Sequence, residues 1–160
     1  MVTQILCAID DTEHSENALE FAIDLARQLS AKLVFYMVNP AVLPSPRGAP
    51  VYCWTEDYIK SYLDEALRRA RKAGVSGAMC ETRRATSIPN AIVACADLHE
   101  ANFIVVGASR HRTIVDFFRR SVSRLVTDTA NCPVLIVRQP RSRWPWQRYF
   151  PAASQRMEAR

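Results

Sequence analysis

Short runs of unbroken apolar residues alternate along this chain with stretches whose apolar residues recur at helical spacing. Gln4-Ile5-Leu6-Cys7-Ala8-Ile9 is too short for a buried helix and suits a strand covered on both faces. Asp10-Asp11-Thr12 then supplies helix-capping chemistry, and Ala18, Leu19, Ala22, Leu25, Ala26 and Leu29 mark an amphipathic helix over about residues 13 to 30. Lys32 to Val38 is the second strand. Six further segments repeat the pattern, the first two a helix from Glu56 to Ala73 with Tyr58, Tyr62, Ala66, Leu67 and Ala70 inward, closed by Gly74, and a mixed strand over Ala78 to Arg84. A helix starting at Ser87-Ile88-Pro89 carries Ile92, Val93, Ala96 and Leu98 inward, and leads to a strand over Asn102 to Val106. Ser121 to Thr129 reads as the fourth helix and Pro133 to Val137 as the fifth strand.

Every crossover is long enough for a parallel connection. The expected architecture is therefore a doubly wound, Rossmann-like α/β fold: a five-stranded parallel sheet in the order 3-2-1-4-5, with helices on both faces. At 160 residues one domain is expected, over residues 1 to 138, followed by a basic aromatic tail over 139 to 160. Between Asn39 and Thr55, Pro40, Pro44, Pro46, Gly48 and Pro50 rule out regular structure and predict a long surface loop that could serve as a lid.

In such sheets a ligand lies beyond the carboxyl ends of the strands where the winding reverses, beside the first and fourth strands. Asp10 ends the first and Gly107 the fourth. Asp10 either compensates the next helix or hydrogen-bonds the polar edge of a ligand, such as a purine amino group or ribose hydroxyl. Gly107 serves either a positive-φ turn, the reading favoured by the sequence alone, or a close backbone approach. Ser109, Ser121 and Ser123 are hydroxyls near the position a phosphate would take, with Ser121 equally placed as a helix cap. Arg110, His111, Arg112, Arg119, Arg120 and Arg124 form a cationic run relieved only by Asp116, which is either a solvated face or an attractor of phosphate.

Other chemistry is sparse. The five cysteines show no C-x-x-C and no histidine at a metal-ligand interval, so they are expected to be reduced thiols, several of them core filling. His14, His99 and His111 show no metal-ligand pairing, no nucleophile elbow appears, and paired carboxylates are lacking. Neither catalysis nor a metal site is expected. No apolar run approaches the roughly 18 residues that span a bilayer, and Met1-Val2-Thr3 leads straight into a strand, so the expected location is the cytoplasm.

The net charge of +5 is carried wholly by the segment from Arg138 onward, with six arginines against Glu158. Arg141, Arg143, Trp144, Trp146 and Arg148 interleave cations with aromatics, a composition suited to a membrane surface, an acidic protein or single-stranded nucleic acid, or else to a disordered tail. An interaction protein acting through a dimer surface and this tail is the alternative to a ligand-binding role.

Ala8-Ile9-Asp10, the helix after it, the strand into Gly107, Ser121-Val122-Ser123 and the closing Cys132-Pro133-Val134-Leu135-Ile136-Val137 together resemble the universal stress protein family, over about residues 2 to 138. The resemblance implies a stress-response protein and a homodimer joined through the last strand, here Val134, Ile136 and Arg138. In one branch it also implies ATP bound through G-x-x-G-x9-G-[S/T]. Laid on this chain, that motif gives Gly107, Arg110 for the second glycine, Arg120 for the third and Ser121 for the hydroxyl, followed by Val122. Asp10 matches an aspartate that helps hold the nucleoside, and Val38 a position that commonly lines the adenine pocket. The nucleoside end is thus present and the triphosphate end altered, which implies an adenine nucleotide (ATP, ADP or AMP) or another anion held by Arg110 or Arg120, with ATP the least suited.

Overall fold

The computed structural model describes residues 3–42, 48–108 and 122–138. Six strands and four helices follow one another as β1 (Gln4–Ala8), α1 (Glu13–Leu29), β2 (Lys32–Val42), β3 (Val51–Tyr52), α2 (Glu56–Lys72), β4 (Ala78–Ala85), α3 (Ile88–Leu98), β5 (Phe103–Gly107), α4 (Val122–Thr129) and β6 (Val134–Val137). β1 pairs with β2 on one side and β5 on the other, β2 continues to β4, and β5 to β6, all in parallel. Leaving aside the two-residue β3, this is the expected order 3-2-1-4-5. Buried residues alternate to opposite faces of the sheet, as the period of two requires. Ile5, Cys7, Leu33, Phe35, Met37 and Val105 face α1 and α2, while Leu6, Val34, Tyr36, Val38, Ile104 and Val106 face α3 and α4. The strands read as continuous apolar runs because both faces are covered.

Three helices end alike. After α1, α2 and α3, a residue at positive φ (Ser30 at 49°, Gly74 at 90°, Glu100 at 49°) turns the chain. The next amide then bonds five residues back, Ala31 to Ala26, Val75 to Ala70 and Ala101 to Ala96. That residue is buried each time, so the same turn ends a helix and delivers an anchor to the start of the next strand segment.

Several expectations are corrected. The proline-rich stretch after Asn39 contains regular structure: β2 runs through Pro40 to Val42, and β3 pairs with it antiparallel, Ala41 opposite Tyr52 and Val42 opposite Val51. Pro40 is tolerated because it need only accept, and its carbonyl takes the Cys53 amide at 3.2 Å. In α2 the buried stripe is Ile59, Leu63, Ala66 and Ala70. Tyr58 and Tyr62 stand one position aside because their hydroxyls reach polar groups at the start of α1. In α3 the inward positions are Ala91, Ile92, Cys95 and Ala96, and Leu98 points outward at 76% exposure, at the edge of that stripe and the last residue of the helix. Ile23 is buried in α1, whereas Leu29 is exposed near the helix end. Ser87 occupies the N-cap of α3 but makes no side-chain capping bond. Among the described residues, no helix is long and apolar enough to cross a membrane.

Candidate functional site

The crevice forms where β1 hands over to α1. Ile9 donates its amide to the Tyr36 carbonyl (2.9 Å), extending the parallel pairing one residue past β1. Asp10 then leaves the sheet, with its amide on the Ser15 hydroxyl at 2.7 Å. Thr12 is the N-cap and accepts from the Ser15 amide (3.3 Å), so the capping role goes to Thr12. One Asp10 carboxylate oxygen accepts from the Thr12 amide at 3.0 Å and the Thr12 hydroxyl at 2.6 Å. No described residue donates to the other oxygen. Asp11 points elsewhere and accepts from the Trp54 indole at 3.0 Å.

Gly107 closes the opposite wall. A β-carbon there would lie 2.4 Å from the His14 carbonyl oxygen and 3.0 Å from the Ser15 amide nitrogen, both backbone atoms of the first turn of α1. Its φ is not positive. The favoured turn reading is thus overturned: glycine is required because helix backbone packs on the strand end. This contact brings the ends of β1 and β5 together under the amide-bearing terminus of α1.

The cleft between them measures about 110 Å³. Ala8, Tyr36, Val38 and Val106 form its sheet side, Ile88 and Ile92 of α3 and Val122 of α4 an apolar wall, and Asp10, His14 and Gly107 its polar end. That volume suits a planar base rather than an entire large ligand, and an apolar slot with few polar groups is the usual character of such sites. Trp54 stands at the same cleft, fixed by two bonds between its backbone and the buried Asn39 amide (2.8 and 3.2 Å) and by its indole on Asp11. The segment after Asn39 therefore contributes a clamped aromatic wall. His14 Nδ1 is buried without a hydrogen-bond partner among the described residues.

Burial pushes the Tyr36 hydroxyl up to about 12, assisted by Cys95 and Glu81, so it stays a neutral donor at physiological pH. Tyr62 is pushed up further, by burial first and then by Glu16. Its hydroxyl lies 2.6 Å from the Asp10 carbonyl and 3.0 Å from Glu16, pinning the loop before α1.

Of the expected site residues, Asp10, Val38, Gly107 and Val122 meet at this cleft. Ser109, Arg110, Arg120 and Ser121 lie outside the described residues, as do the tail residues Arg141, Arg143, Trp144, Trp146 and Arg148. Val134, Ile136 and Arg138 lie on or just past β6, a sheet edge with Ile136 exposed. Tyr36, Trp54, Ile88, Ile92 and His14 were not anticipated; strand parity would have given Tyr36 with Val38, whereas Trp54 needed the tertiary fold. The five cysteines are free thiols, as expected. His99 lies beside Cys95 and Glu81, with one donor atom of each within 4.8 Å of the other two.

Comparison with known proteins bears on the whole arrangement. The model of the universal stress protein family matches residues 1–138. Universal stress protein YxiE of Bacillus subtilis is 28% identical over 148 residues, covering 86% of this chain and all of its own. A putative universal stress protein of Staphylococcus haemolyticus is 30% identical over 145 residues, covering 84% of this chain and 83% of its own. Among solved structures, a universal stress protein in complex with cAMP superimposes with a TM-score of 0.69 at 24% identity, covering 87% of this chain and 98% of that one. The Archaeoglobus fulgidus universal stress protein in complex with dAMP gives 0.60 at 27% identity, covering 85% and 98%. With its sheet order, its strand-end crevice and a family match over most of its length, the chain belongs to the universal stress protein family.

Proposed function

We propose that this chain is a non-catalytic adenine-nucleotide-binding stress protein that holds the base and ribose in the cleft between β1, β2 and β5 and favours a monophosphate over ATP. The observation that carries this reading is Asp10, which stands at the winding reversal with one carboxylate oxygen unengaged by the described residues, beside an apolar slot. The slot takes the flat base against Tyr36, Val38 and Ile92. Asp10 accepts from a ribose hydroxyl or the amino edge of the base. The 27% identical relative solved with dAMP supports the ligand class. Arg110 and Arg120, standing where the ATP-binding pattern has glycine, replace backbone contacts to a long phosphate chain with guanidinium contacts to a short one. The protein works as a cytoplasmic homodimer joined along β6.

The test is a thermal-shift series with AMP, cyclic AMP, ADP and ATP, since a ligand that binds only the folded state raises the melting temperature by mass action. AMP or cyclic AMP is expected to give the largest shift, Asp10→Ala to remove it, and Arg110→Gly with Arg120→Gly to move the preference toward ATP. No shift at millimolar nucleotide would instead support a protein acting through its β6 edge and basic tail, without a ligand.

A further inference from the structure

Away from the nucleotide cleft, α3 and β4 bring together three side chains of different chemistry. Cys95 and His99 are one helical turn apart, so both project from the same side of α3. On β4, Cys80 turns toward α2, where its thiol meets the Leu63 carbonyl, so by alternation its neighbour Glu81 turns toward α3. The Glu81 carboxylate lies 2.9 Å from His99 Nε2 through one oxygen and 3.5 Å from Cys95 Sγ through the other. One donor atom from each of the three lies within 4.8 Å of the other two. Cys95 is buried, His99 shows 16% of its side chain and Glu81 36%, so the group is walled on the protein side and open outward at the carboxylate.

We propose that Glu81, Cys95 and His99 form a zinc site, with solvent water in the fourth position. Sulfur, imidazole nitrogen and carboxylate oxygen are the three donor types that Zn²⁺ accepts, and the thiolate disfavours Mg²⁺ and Ca²⁺. Tetrahedral geometry with normal bond lengths sets ligand atoms about 3.3 Å apart for N and O and about 3.6 Å for S with O or N. The two observed contacts run to different carboxylate oxygens, so on binding one Glu81 oxygen turns to serve the metal and the three donor atoms, already within 4.8 Å of one another, draw in to these spacings.

Charge accounting points the same way. A thiolate, a carboxylate and a neutral imidazole around Zn²⁺ sum to zero, which suits a half-buried position better than a charged centre would. The Cys95 thiol gives up its proton to solvent when the metal binds. Arg83 and Tyr36 are the other ionisable groups that face the cluster, and a neutral metal centre adds no repulsion against Arg83. Apolar residues meet the sheet elsewhere along α3, at Ala91, Ile92 and Ala96, so packing alone does not call for this donor set. Bound zinc would tie the edge strand β4 to the helix whose first turns wall the nucleotide cleft, and the site stands whether or not a nucleotide binds there.

The experiment uses the full chain, reduced and metal-free, titrated with Zn²⁺ against a chromogenic chelator and separately with Co²⁺ as a spectroscopic probe. One equivalent is expected to bind with a dissociation constant of about 1 µM or tighter, with a thiolate-to-cobalt charge-transfer band. Cys95→Ser should abolish that band, and Cys95→Ser, His99→Gln and Glu81→Gln should each weaken zinc binding at least about tenfold. Cys53→Ser, at an exposed thiol outside the cluster, should change neither. Circular dichroism confirms folding, and if Cys95→Ser does not fold, the other two variants decide. Absence of stoichiometric uptake by the unaltered protein, or a band and affinity retained in folded Cys95→Ser, overturns the proposal.

Discussion

The two faces of the sheet are built to different ends. On one, α1 and α2 run 17 residues each and cover Phe35, Met37, Leu33 and Ile5, with Arg69 of α2 bonded to Glu16 and Glu20 of α1 across their outer side. On the other, α3 and α4 run 11 and 8 residues, and the cover is interrupted by the cleft and by the Glu81, Cys95 and His99 group. Among the described residues, only one face is filled throughout. Stability is therefore concentrated on the α1 and α2 side, and the other side keeps a cleft and polar groups.

The strongest way to break this contrast is a pair of substitutions on β2. Phe35→Ala on the filled face is expected to cost about 3–5 kcal/mol in denaturant unfolding and to leave the response to AMP intact in the folded fraction. Val38→Phe, three residues along and on the other face, is expected to lose that response while costing about 1–3 kcal/mol by overpacking. Equal stability losses with the response kept in both would contradict the division.

Gly107→Ala probes the seam between the faces. Its methyl group would meet backbone 2.4 Å away, so α1 must shift from β5 at an expected cost of about 3 kcal/mol, with loss of the nucleotide shift. A smaller effect is expected at alkaline pH. Cys80 toward α2 and Cys95 toward α3 are both pushed from 9.0 up to about 12, chiefly by burial. The metal-free folded state thus holds these protons more tightly than the unfolded chain, so their contribution is complete below pH 9.0 and is lost as pH rises toward 12. Melting temperature should fall over that window, and thiol labelling at pH 8 should reach the exposed Cys53 first. The smallest effect is a gain: Ser30→Gly after α1 and Glu100→Gly after α3 relieve positive φ and should each stabilise by about 0.5–1 kcal/mol, equally on the two faces.

Much of this was legible in the sequence. Parallel strands buried on both sides must be written as apolar runs, and with alternating helices they determine the order and hence the crevice of Asp10 and Gly107. Periodicity failed where a side chain has an apolar body and a polar tip: Tyr58 and Tyr62 look like core but serve the start of α1. The β2 and β3 pairing left no signal because two residues are too few to form a pattern, and proline suggested the opposite. The spacing of Cys95 and His99 was open to view as one helical turn. Glu81 was not, because only the pairing of β4 beside β2 carries it to them.

The parallel sheet has two rims of unlike character. Along β4, Glu81, Arg83 and Arg84 set charge on the rim, and Arg84 is drawn over the Tyr52 ring and onto Glu56. Along β6, the rim from Val134 to Val137 is wholly aliphatic, and no described residue bonds to its outer side. A rim dressed in charge repels an incoming strand, and a bare one invites it. Among the described residues, charge therefore opposes strand addition at the β4 rim and leaves it unopposed at the β6 rim.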